Sequence, residues 1–143
     1  MGNRAVIVSY DTTPENASSK IGVYVHWHGS KESIQEFLDE AKRRKIRSID
    51  CDRPYFWARF IQTVTDMITE EEQKYWSKSG VEHNCYECSV GVDVVSNLDT
   101  HNYDNGVYYI ADDFTIVKQT DGSEFDKPEP IDLTDEEEAA LSQ

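Results

Sequence analysis

Residues 21–46 read IGVYVHWHGSKESIQEFLDEAKRRKI, and a change of period inside this stretch decides the fold class. From Ile21 the apolar residues alternate, with Ile21, Val23, Val25 and Trp27 on one face and Tyr24, His26 and His28 on the other. That period of two predicts a half-buried strand. After Gly29 the spacing changes to three and four: Ile34, Phe37, Leu38 and Ala41 form a helical stripe that Ile46 closes. Ser30 or Ser33 can cap this helix, and Lys42, Arg43, Arg44 and Lys45 crowd its end, where cations complement the helix dipole. A strand followed by an amphipathic helix calls for a sheet with helices packed against it.

The flanking segments extend this pattern. Ala5–Tyr10 is a β-branched run, and the turn-rich DTTPENASS at 11–19 joins it to residue 21 as a loose hairpin. A second helix is predicted from Pro54, with Trp57, Phe60, Ile61, Val64 and Ile68 at helical spacing. Thr69 and Glu72 fit a capping box, so residues 69–78 are expected as a short third helix ended by Gly80. Residues 88–95 alternate again through Cys88, Val90, Val92 and Val94. The loop SNLDTHNYDNG at 96–106 leads into VYYI, and an Asp112-Asp113 turn leads into FTIVKQ. These last three strands are expected as an antiparallel meander. The order β-β-α-α-β-β-β predicts an α+β fold, an antiparallel sheet of about five strands with two helices on one face.

The chain of 143 residues is the size of one domain, taken as residues 1–120 followed by an acidic tail at 121–143. The net charge is −14, and nine carboxylates against Lys127 place −8 of it in that tail. Such a charge disfavours nucleic acid and acidic membranes and favours basic partners, including proteins that bind nucleic acid themselves. The tail is expected to be disordered or a short docked helix. No run approaches the roughly 20 apolar residues of a membrane span. There is no signal-peptide layout, and three cysteines make no disulfide framework, so a reducing cytoplasm is the expected compartment.

Few patterns carry chemistry. His83-x-Cys85-x-x-Cys88 is half of a zinc site, because two thiolates at that spacing reach one tetrahedral ion. The second Cys-x-x-Cys is missing, and Cys88 is in phase with a buried valine row. His83, Cys85 and Cys88 therefore remain candidate ligands, while no metal or other cofactor is expected. His26 and His28, with Tyr24, can line a polar pocket or simply face solvent. DTHNYDNG is not a calcium loop, since His101 and Tyr103 stand where carboxylates belong; its Asp, Asn and Gly are turn formers. Residues 42–47, KRRKIR, form the one basic cluster. Phosphate-cradling loops, metalloprotease helices and nucleophile elbows are absent, and the chain is expected not to be an enzyme.

GNRAVI, IGVYVHWHG, the ES…FL helix, WAR, SVGVD, NLDT and DNGVYYI together resemble a family of short phage and mobile-element proteins of Firmicutes, over most of residues 1–119. The resemblance implies a phage-type accessory protein and marks residues 70–87 and the acidic tail as additions to the family pattern. It implies no activity.

Two functions follow as expectations. The first is an inhibitor of a host defence factor (anti-restriction or anti-CRISPR in type) that binds a basic, nucleic-acid-binding host protein as an acidic mimic. Its contacts would be Glu70, Glu71, Glu72, Asp99, Asp104, Asp112 and Asp113. It would bind no nucleic acid directly and no membrane. The alternative is a sponge for a nucleotide-like immune signal, built from Tyr24, His26, His28, Arg53, Arg59 and the KRRKIR cluster around an aromatic pocket formed between subunits. Exposed aromatics among Tyr55, Phe56, Tyr75, Trp76, Tyr108 and Tyr109 would suit a homodimer.

Overall fold

The computed structural model describes residues 2–78, 80 and 88–126. Five strands form one mixed sheet: β1 (Ala5–Ser9), β2 (Ile21–Val25), β3 (Val90–Val94), β4 (Val107–Ile110) and β5 (Ile116–Thr120), in the order β3-β2-β1-β4-β5. Two helices, α1 (Lys31–Arg43) and α2 (Arg53–Lys78), lie between β2 and β3 in the chain. The α+β class and the element order agree with the sequence.

The sheet is not purely antiparallel. β1 and β4 run parallel at its centre, with Val6 opposite Val107 and Ser9 opposite Ile110. The expected meander is therefore absent: β3 pairs with β2 at one edge, and only β4 and β5 form a hairpin. The physical reason is the length of residues 95–106. A tight hairpin closes over two to five residues, whereas this segment is long enough to cross β2 and β1 before it pairs. Both central strands are buried along their whole length. Strands covered on both faces read as unbroken apolar runs.

Two cores cover the two faces. On one, Ala5, Ile7, Val23, Val25, Tyr108 and Ile110 pack against Ile34, Phe37, Leu38, Phe56, Trp57, Phe60, Val64 and Ile68 of the helices. On the other, Val6, Val8, Val107 and Tyr109 are covered by Ala17, Val95, Leu98 and Phe125. The second core is made by loops rather than helices. Phe125, in the short 3-10 turn Ser123–Phe125, packs against it.

Helix α1 starts where the sequence places it: the Ser30 hydroxyl accepts from the Ser33 backbone N–H at 3.2 Å. The expected break at Thr69 does not occur. No Gly or Pro falls between Pro54 and Gly80, and the Glu-Glu-Glu-Gln-Lys run favours helix, so α2 continues for 26 residues. Glu72 accepts from the Ser89 hydroxyl rather than closing a capping box. Among the described residues no helix is long and apolar enough to cross a membrane.

Candidate functional site

The segment between β3 and β4 crosses the sheet and then folds around one side chain. Asn102 is fully buried; its amide nitrogen donates to Asp99 O (3.2 Å) and Gly106 O (3.1 Å). Its carbonyl accepts from the backbone of Asp104 (3.1 Å) and Gly106 (3.0 Å). Residues on either side of an inward side chain are driven outward, and His101 and Tyr103 emerge from the loop as a pair. Their ring centroids are 4.6 Å apart with the planes tilted by 33°. Tyr103, in a left-handed backbone conformation, stays 83 % exposed.

Two glycines press this loop onto the end of β5. Gly106 (φ 67°) lies so close to Thr120 that a Cβ would stand 2.0 Å from its carbonyl oxygen. At Gly122 (φ 85°) a Cβ would meet Thr100 O at 1.9 Å. Such contacts admit no side chain. Between loop and strand end lies a groove of about 450 Å³, lined by His101, Tyr103, Asp104, Asn105, Gly106, Gln119, Thr120 and Asp121. Gln119 crosses it to donate to Asn105 O at 2.9 Å.

The groove lining carries two carboxylates, Asp104 and Asp121, and no Lys or Arg, with Arg4 paired to Asp104 from beside it. Residues 88–126 hold Asp93, Asp99, Asp104, Asp112, Asp113, Asp121, Glu124 and Asp126 against one cation, Lys118. Lys118 itself sits over the Tyr109 ring at 4.3 Å. Asp104 is bonded by Arg4 through Nε (2.8 Å) and the backbone N–H (3.1 Å), which hold its carboxyl below the ordinary range. Asp121 is lowered by the Ser123 hydroxyl and backbone N–H, both of which donate to its Oδ1. The second oxygen of each carboxylate takes no hydrogen bond from another described residue. His101 Nδ1 lies 2.9 Å from Asp126 Oδ2. Beneath, Glu124 accepts from Tyr109 (2.6 Å) and from Thr120. Burial works to raise its pKa, and these two hydroxyls outweigh burial, so it lies below the ordinary value.

The expected acidic contacts occupy three separate places. Asp99 and Asp104 flank Arg4 at the start of β4. Asp112 and Asp113 follow its other end, a strand length of roughly 13 Å away. There the Ser48 hydroxyl and Asp50 backbone N–H lower Asp112, and Asp113 accepts from Thr115. Glu70, Glu71 and Glu72 lie on α2. Glu70 and Glu71, with His28, Ser33, Glu36 and Phe37, line a second groove of about 300 Å³. Lys74 stands 3.8 Å from Glu70 and 3.5 Å from Glu71 and offsets their charge.

Within one chain the residues expected to bind a nucleotide lie in separate places. The Tyr24 hydroxyl and His26 Nδ1 lie 2.9 Å apart, on the face that carries Arg4. Burial, opposed by Arg4, raises Tyr24. His28 turns away through a left-handed backbone (φ 65°), and Trp27, expected on the core face, is about half exposed because β2 ends at Val25. Arg53 is at the opposite end of β1, bonded to Asp11 at 2.9 Å and near Asp50 at 3.5 Å. Arg59 is exposed on α2 beside Gln62.

Of the cysteine motif, His83 and Cys85 lie outside the described residues, and Cys88 packs against the helix-side core. Among the described residues no group of three or more His, Cys, Asp or Glu is placed to hold a metal ion. Of the six aromatics, Phe56, Tyr108 and Tyr109 are buried and Tyr55, Tyr75 and Trp76 are exposed. Sequence reasoning set His101 and Tyr103 aside as misfits for calcium, did not single out Gln119, and gave Asp121 only a steering role as the start of the acidic tail. The available signal was alternation around Asn102 within an Asp/Asn/Gly-rich loop.

No family model, no curated protein and no solved structure matches this chain. The groove's own chemistry is the basis for a functional reading. Its walls offer carboxylate oxygens, an amide and a ring pair of which Tyr103 is exposed, with no Lys or Arg among them. Carboxylates beside an exposed aromatic ring are the chemistry that pairs with a cationic group.

Proposed function

We propose that this chain is an interaction protein that binds a basic partner through the groove between residues 101–106 and 119–121. One observation carries the reading: Asp104 and Asp121 line a groove free of Lys and Arg, beside a ring pair held outward by a buried asparagine. A rigid, negative, partly aromatic surface suits a cationic protein segment and repels phosphate. The resemblance to phage-type accessory proteins supplies the setting. The partner in this reading is a nucleic-acid-binding host defence factor whose phosphate-contacting basic surface is occupied and thereby blocked. The nucleotide-sponge alternative draws on Tyr24, His26, His28, Arg53 and Arg59, which do not form one pocket within a single chain.

The test is competition. A basic DNA-binding nuclease or effector is loaded with labelled duplex, and the protein is titrated in at low and at physiological salt. The reading requires displacement of DNA that weakens as salt rises and is lost on joint Asp104→Asn and Asp121→Asn substitution. Failure to displace DNA from any such effector at low salt, or direct binding of this chain to the duplex, overturns it.

A further inference from the structure

Building on the reading above, we propose that the groove selects an arginine side chain of the partner, the guanidinium lying on the Tyr103 ring and bridging the unengaged carboxylate oxygens of Asp104 and Asp121. Several observations converge on this chemistry. Tyr103 contacts His101 by its ring and otherwise stays open to solvent, so a planar group can lie on it. A flat, weakly hydrated guanidinium stacks on such a face better than a compact ammonium does. Asp104 spends Oδ2 on Arg4, and Asp121 spends Oδ1 on Ser123, which leaves one oxygen of each. Asp104 and Asp121 both line the groove, and the several donors of a guanidinium can meet two separate acceptors where a lysine ammonium gains less. The Asn105 side chain is held by Asn3 and by the Arg4 carbonyl. The Gln119 amide is committed to Asn105. The rim around the two acceptors is thus set before a ligand arrives, which lowers the ordering cost of binding. Arg4 already makes the corresponding contact to Asp104 within the chain, so the carboxylate's ability to take a guanidinium is visible in the fold itself.

The experiment uses the full chain and two labelled short peptides of equal charge, one with arginine–glycine repeats and one with lysine in place of every arginine. Binding is read by fluorescence anisotropy at low salt for the natural protein, Tyr103→Phe and Tyr103→Asn. Asparagine is chosen because it tolerates the left-handed backbone while removing the ring. The expected result is a preference for the arginine peptide of roughly three- to fivefold, kept by Tyr103→Phe and lost in Tyr103→Asn. Equal, salt-sensitive binding of both peptides, or a preference that survives Tyr103→Asn, overturns the arginine inference and leaves the basic-partner reading standing. Binding of neither peptide overturns both.

Discussion

Asn102 and Gly106 pair as two strand residues would, the side-chain amide of one exchanging hydrogen bonds with the backbone of the other. Asn102 Nδ2 donates to Gly106 O at 3.1 Å, and Gly106 N donates to Asn102 Oδ1 at 3.0 Å. An asparagine side chain carries the same donor and acceptor as a peptide unit, so it closes a loop that no backbone partner could reach. This pairing fixes the shape of residues 99–106, and Gln119 ties that loop to β5 through the Asn105 carbonyl at 2.9 Å.

Replacement of Asn102 by alanine strands the backbone groups of Asp104 and Gly106 and leaves a void. We expect a loss of about 2–4 kcal/mol in urea unfolding. Asn102→Asp should cost a similar amount, because the carboxylate cannot donate to the carbonyls of Asp99 and Gly106. A loss under about 1 kcal/mol in both variants would mean the loop is held by something else.

Gly122→Ala and Gly91→Ala should separate close approach from ordinary strand geometry. At Gly122 a methyl group meets the Thr100 carbonyl in a left-handed backbone, whereas at Gly91 in β3 nothing lies within 4 Å. Thermal unfolding should show Gly122→Ala destabilised by more than about 2 kcal/mol and Gly91→Ala unchanged or improved by up to about 1 kcal/mol. Similar effects at the two positions would contradict the packing of the 122 turn on the loop.

Much of this fold was legible in the sequence, and the failures share a cause. Strand β2 and helix α1 follow from the change of period after Gly29, and the Phe60–Val64–Ile68 stripe places α2 against the sheet. What pairwise periodicity could not supply was strand order. VYYI at β4 lacks alternation, as does AVIVS at β1, and that shared feature marks the two central strands. The antiparallel assumption for the last three strands hid it. The groove was less legible, because its parts come from both sides of β4 and β5, and the loop on one side is shaped by Asn102, a buried polar residue inside a stretch that reads as turn. Trp27 shows the opposite error, for the alternation of β2 was carried past the residue where the strand stops.

Acid should unfold this protein through its paired carboxylates. Asp104 beside Arg4, Asp11 beside Ser9, Lys20 and Arg53, and Glu124 beneath Thr120 and Tyr109 all ionise below their ordinary values. Glu40, bonded by Arg43 and Arg44, is lowered to about 2. Depressed values mean that the stabilisation is present above the unfolded-state values of 3.8 for Asp and 4.5 for Glu, and is lost as pH falls through the folded ones. The urea midpoint should be steady near neutrality and fall steeply below about pH 4. A midpoint that holds or rises down to pH 3 would contradict this.

Arg4→Gln should move stability and binding in opposite directions. The substitution breaks the contacts to Asp104 and Asp99 and so lowers the unfolding midpoint. It also removes the cation nearest the groove, and affinity for a basic ligand should rise at low salt. Affinity that falls in step with stability would place Arg4 in the binding surface itself.

The most direct measurement is a two-dimensional amide NMR titration of the full chain with the arginine-bearing peptide at low and at physiological salt. Shift changes should centre on residues 99–106 and 118–126, saturate, and shrink as salt rises, while α2 around Glu70 and the turn at Asp112 stay still. Changes spread evenly over every acidic segment, or absent from residues 101–106, would contradict a built cation-binding groove.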